Sequence, residues 1–266
     1  MESSGVVITA GFDKSQSAVA VAELLKRKGI AVKGFIVVSP YSWSRFRKYI
    51  QKRGLSFVWE AIPRLLGLNK HRTDGPKDYL DAFFEEKNIR FSSIKKWAKE
   101  NKANYYSAGS INDQGIVGYL KEMNPRWLVY SGGGIIKDPI ITAMEGRILN
   151  AHQGPLPEVR GMNAAEWSIL LDEPKEVTIH LIDKGIDTGK IITSLPYSVD
   201  EDDTIDTIRD KAKVQGIRGL VEVAAKKNLD EYELRDNNSD YRQCYILSST
   251  MRKLLLKKLQ YIQKAQ

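Results

Sequence analysis

Cysteine is almost missing from this chain: Cys244 is the single one in 266 residues. No disulfide can close within the chain, and a cysteine-rich zinc centre is excluded. Histidine is scarce as well, with only His71, His152 and His180. No apolar run approaches the roughly 18 residues that a membrane-spanning helix needs. The opening MESSGVVITAGFD has no basic stretch leading into a long apolar one, so it does not read as a signal peptide. A soluble, cytoplasmic protein is expected. The first strand-like run is followed by AGFDKSQS, which lacks G-x-G-x-x-G, so a dinucleotide site there is not expected. A G-x-x-x-x-G-K-[ST] phosphate loop and a G-x-S-x-G nucleophile elbow are also missing. No His/Cys/Asp set has metal-ligand spacing, and no metal is expected.

What is present is ordinary globular material, with 42% hydrophobic and 28% charged residues. The 41 Lys and Arg outnumber the 33 Asp and Glu and leave a net charge of +8. Such a balance favours polyanionic partners such as nucleic acid, nucleotides or folate tails.

The chain alternates between two periods. Residues 5–9 (GVVIT) and 31–39 read as strands, and 15–28 between them as a helix ended by Gly29. Strand, helix, strand at this spacing makes a right-handed βαβ unit. Residues 41–72 differ, with aromatics such as Trp43 and Phe46 interleaved with Arg and Lys; they read as a helical, basic insertion over 41–78. The alternation then resumes. Helices are expected at 92–101, 111–123 and 163–171, with a short one opening at Pro139. Strands are expected at 103–108, 126–131, 147–151, 176–182 and 190–199, and a helix at 203–227. The expected fold is α/β: a Rossmann-like, mostly parallel sheet flanked by helices, with a helical insertion and a helical C-terminal tail. Residues 1–230 would form the catalytic layer and 231–266 a linker plus an amphipathic helix, itself a candidate homodimer element.

Asn150 and His152 carry the chemistry. They lie at the end of the strand RILNA, and ligands of parallel sheets collect at the carboxyl ends of strands. Two residues apart on a strand, they face the same side. An amide and an imidazole together can stabilise a developing oxyanion and move a proton. Downstream, LIDKGIDTGK offers Asp183 and Asp187 in a loop between two strands, where a carboxylate can orient an imidazole.

The ordered set across residues 148–192 resembles the formyltransferase family that uses 10-formyltetrahydrofolate. The family pattern is Asn-x-His, then L-P-x-x-R-G, a Trp on the next helix, V-T-x-H and D-x-G-x-I. It is matched here by Asn150, His152, Leu156, Pro157, Arg160, Gly161, Trp167, Val177, Thr178, His180, Asp187, Gly189 and Ile191. Glu176 stands where the family has Gly, and Gly154 where it often has Ser or Leu.

The resemblance implies that Asn150, His152 and Asp187 are catalytic. It implies that 10-formyltetrahydrofolate, the formyl donor, lies against Tyr130, Gly132, Gly133, Gly134, Ile135 and Ile136 and against Asp183 and Gly185. Arg160, Gly161 and His180 are then candidate acceptor-side residues, with His180 also placed to orient the Asp187 loop. The first strand turn lacks the family's ribonucleotide phosphate loop. The stretch after Lys227 is shorter than the C-terminal barrel of the methionyl-tRNA enzyme. Both departures turn the expectation toward a small phosphorylated amine acceptor, a nucleotide-linked amino sugar. A macromolecular amine, such as that of methionyl-tRNA or a peptide, is the alternative, and nucleic acid the less favoured partner. A folate-binding relative without turnover is the third reading.

Overall fold

The computed structural model describes residues 4–38, 79–90, 92–237, 240–241 and 243–265. The expected insertion at 41–78 lies outside the described residues. Among them, seven strands form one sheet in the order β3-β2-β1-β4-β5-β7-β8. These strands are β1 (Val6–Ala10), β2 (Val32–Val38), β3 (Asn104–Ala108), β4 (Trp127–Val129), β5 (Ile148–His152), β7 (Glu176–Leu181) and β8 (Ile191–Pro196). The five from β3 to β5 are parallel. β7 runs antiparallel to β5, and β8 antiparallel to β7, which is the extension the two late strand patterns suggest.

Side chains alternate across the sheet, and two cores result. Val6, Ile8 and Ala10 of β1 enter one core, and Val7 enters the other. The first core is closed chiefly by α1 (Gln16–Arg27), α3 (Ile94–Glu100) and α7 (Ile205–Ala225). The second is closed by α4 (Gln114–Met123) and α5 (Asp138–Ala143). Side-chain caps start three of these helices: Ser15 for α1, Ser93 for α3 and Asp113 for α4. Thr204 and Thr207 form a reciprocal capping box at the start of α7.

The structure adds α2 (Tyr79–Glu86), whose Leu80, Phe83 and Phe84 sit at helical spacing and are buried. It also adds a two-residue parallel pairing of β6 (Arg160–Gly161) with β9 (Gln243–Cys244). Runs this short carry no period, so the sequence does not announce them. α6 (Ala164–Leu170) follows β6, and the tail helix α8 (Ser249–Ala265) buries Leu255 and Leu259 in the first core.

The strand order reverses between β1 and β4, the position at whose carboxyl ends open α/β sheets bind their ligands. Buried Thr9 of β1 ties the two strand ends together. Its hydroxyl donates to the Gly132 carbonyl at 2.8 Å and accepts the Ser131 N–H at 3.1 Å. Thr9→Val keeps the shape but leaves the Ser131 N–H without its acceptor. Urea unfolding should read a loss of about 1–3 kcal/mol, and a loss below about 0.5 kcal/mol would deny Thr9 this role.

Candidate active site

Asn150 and His152 share the face of β5 that also carries Ile148. Antiparallel pairing sets His180 of β7 directly opposite Asn150, and Thr178 opposite His152. Cross-strand partners project to the same face, so four polar side chains gather at one edge. Thr178 pins the turn that follows β5. Its hydroxyl donates to the Gly154 carbonyl at 2.8 Å and accepts the Leu156 N–H at 3.1 Å.

Asp187 reaches this group from the β7–β8 loop. Its Oδ2 accepts the Gly161 N–H at 3.1 Å and lies 3.5 Å from His152 Nδ1. Its Oδ1 lies 3.7 Å from His180 Nε2. The backbone at Asp187 has φ +53°, a left-handed conformation that a non-glycine residue adopts at a cost and that the surroundings must enforce. At Gly189 a Cβ would collide with the Leu181 carbonyl, so the tight return of this loop demands glycine.

The imidazoles have distinct tasks. His152 Nε2 sits 2.6 Å from the Val159 carbonyl, so this nitrogen carries the hydrogen and donates it. Nδ1 is then the nitrogen that faces Asp187. His180 is almost fully buried, at 1% exposure. Burial pushes its pKa down to about 4, and neighbouring His152 acts in the same sense against the opposing pull of Asp187. It is therefore neutral at pH 7. Its Nδ1–H donates to the Leu181 carbonyl at 2.7 Å, which leaves Nε2 as an acceptor for the Asn150 amide at 3.0 Å. The network thus assigns the Asn150 amide orientation, one N–H inward and the other free to meet a substrate.

His180 supports the site from beneath Asn150. This corrects the expectation that it borders the acceptor, because its buried ring offers no surface to one. Arg160 and Gly161 lie in β6, beside Asp187 through the Gly161 N–H.

The residues expected to meet the folate split into two strips. Gly132, Gly133 and Gly134 all have φ between +106° and +126°, a region open essentially to glycine. Tyr130 braces this turn, its hydroxyl donating to the Gly134 carbonyl at 3.0 Å. Burial, reinforced by the charge of Asp187, raises the Tyr130 pKa and keeps the phenol protonated for that bond, although the bond itself pulls the other way. Ile135 is 69% exposed, whereas the Ile136 side chain is buried in the second core and can offer a ligand only its backbone. In the second strip, Asp183 Oδ1 accepts the Gly185 N–H at 3.0 Å and the Thr188 hydroxyl at 2.6 Å. Among the described residues no group of three or more His, Cys, Asp or Glu could hold a metal ion, and no helix is long and apolar enough to cross a membrane.

Residues 77–224 match the formyl transferase family model. The chain belongs to this family. Its curated relatives include the methionyl-tRNA formyltransferase of Caldanaerobacter subterraneus subsp. tengcongensis, 31% identical over 141 residues, or 52% of this chain and 46% of that protein. The Finegoldia magna enzyme of the same name is 29% identical over 53% of this chain and 45% of its own length. The matched region thus spans about half the length of these relatives. Among solved structures, a sugar N-formyltransferase from Shewanella sp. FDAARGOS_354 superposes with a TM-score of 0.57 and 15% identity, covering 96% of this chain and 87% of that one. Phosphoribosylglycinamide formyltransferase from Streptococcus pneumoniae TIGR4 gives 0.52 and 18%, covering 83% and 96%. At these identities the likeness establishes the fold.

Burial of neutral His180 ties stability to pH. Its folded pKa of about 4 lies below the ordinary 6.5, so the unfolded chain binds the proton first as pH falls. The stability it contributes is complete above about pH 6.5 and is lost progressively toward pH 4. Comparing urea unfolding of wild type and His180→Gln at pH 7.5 and 4.5 should show the wild type losing about 2–3 kcal/mol more. Equal losses would contradict a buried neutral imidazole.

Proposed function

We propose that this chain is an enzyme that transfers a formyl group from 10-formyltetrahydrofolate to a primary amine. The observation that carries the reading is the convergence of Asn150, His152 and Asp187 at the carboxyl end of β5, with the amide held by His180 and the carboxylate by Gly161. The folate supplies the activated formyl group. The remaining work falls to the chain. The free N–H of Asn150 stabilises the negative charge that grows on the formyl oxygen as the amine attacks. His152 Nδ1 receives the proton that the amine loses and delivers it to N10 of the folate as the bond between the formyl carbon and N10 breaks, so that tetrahydrofolate leaves as the neutral amine and the imidazole is restored. Asp187, 3.5 Å away, favours the resulting imidazolium and fixes the ring.

For the acceptor we favour a charged tRNA, the methionyl ester with its free α-amine. The curated relatives described above bear the name of that activity, and a net charge of +8 suits a polyanion. The amino sugar suggested by the missing phosphate loop is the competing acceptor. If a second copy docks on the tail helix, it meets the face bearing Leu254 and Tyr261, because Leu255 and Leu259 are buried against the chain itself.

The test is formyl transfer from labelled 10-formyltetrahydrofolate to methionyl-tRNA and, separately, to UDP- and dTDP-linked amino sugars. Transfer to the tRNA that weakens steeply with salt is expected. Transfer to a sugar alone would overturn the tRNA reading and keep the chemistry. With the acceptor that works, Asn150→Ala and His152→Ala should each lower turnover by about 100- to 1000-fold. Wild-type rates in both variants would overturn the catalytic assignment.

A further inference from the structure

Asp187 is held from an unexpected quarter. The family match ends at residue 224, yet the chain beyond it returns across the site. Arg235 pairs with Ile191 at the start of β8 through two backbone hydrogen bonds, of 2.9 and 3.0 Å. This registers the next residues against the Asp187 loop. Asn237 Nδ2 then donates to the Asp187 carbonyl at 2.8 Å and to the Gly189 carbonyl at 3.1 Å. Further along, β9 pairs with β6, and the Cys244 carbonyl accepts the Met162 N–H at 3.0 Å. The strand so fixed is the one whose Gly161 N–H binds the Asp187 carboxylate.

We propose that residues 234–237 and 243–247 brace the Asp187 loop and β6, and that Asn237 is a positioning residue for Asp187. Both N–H bonds of one amide converge on the two carbonyls that flank the left-handed turn at Asp187 and the tight return at Gly189. The backbone is clamped by Asn237, and the carboxylate is clamped by the strand that β9 supports. Neither clamp alone fixes both position and direction of the carboxylate relative to His152. The catalytic consequence rests on the functional reading above; the clamp itself does not.

The test uses the full chain carrying Asn237→Ala or Asn237→Asp, with Asp236→Ala as control. The aspartate keeps the shape of the amide but cannot donate to the two carbonyls at neutral pH. Hydrogen exchange of the peptide spanning 183–190 is measured first, in the ligand-free protein. Both Asn237 variants should exchange there about tenfold or more faster, at a melting temperature within about 2 °C of wild type, and the control should not. Formyl transfer should then show kcat down about tenfold or more, with the KM for the folate within about twofold. Unchanged loop exchange would overturn the clamp. Faster exchange with unchanged kcat would make Asn237 a structural tie only and overturn the positioning role. If the wild-type chain transfers no formyl group to any amine tested, the functional reading fails, and the exchange experiment still decides the clamp.

Discussion

The pairing of β5 with β7 is the constraint on which the site depends. An antiparallel register that sets Asn150 against His180 and His152 against Thr178 places two catalytic candidates and their two supports in one step. A slip of one residue would send all four to the opposite face, into the core beneath α7. The register is fixed by apolar neighbours: Leu149 and Ile179 on the intervening positions are both fully buried. Ordinary core packing thus carries the precision that the chemistry uses.

The support beneath this pair is polar, and it is nearly closed. His180 gives its one N–H to Leu181 and its bare nitrogen to Asn150, so the buried ring satisfies itself without a charge. A protonated His180 would lose the acceptor that aims Asn150, which is why deep burial here serves orientation as well as packing. Asp187 is the charged member, and the rest of the fold restrains it at several points: Gly161 at the carboxylate, Asn237 at the backbone, a left-handed turn between them. Preorganised groups of this kind need not reorient when charge develops.

Much of this was legible in the sequence because it follows short periods. The strand pattern RILNA and the alternation of EVTIHLI announce β5 and β7 to within a residue, and an Asn two before a His at a strand end announces a shared face. Asp187 and Gly189 stand out as a turn between strands. The rest depends on contacts between residues far apart in the chain. Asn237 lies in DNNSD, a stretch that reads only as a linker, and no local pattern tells that its amide meets carbonyls 48 and 50 positions earlier. The β6–β9 pair is two residues long, too short for any period. His180 is a similar case: its motif marks it as functional, but only the ladder and its burial tell that it works from below the site.

The most direct measurement is the single-turnover rate of formyl transfer by Asp187→Asn beside wild type, with folate binding measured in parallel. The amide preserves the size of the carboxylate but cannot support an imidazolium at His152. The account predicts a fall of about 100-fold or more with folate binding retained. A variant that transfers at the wild-type rate would contradict it, because the carboxylate that the surrounding structure holds in place would then have no part in the chemistry.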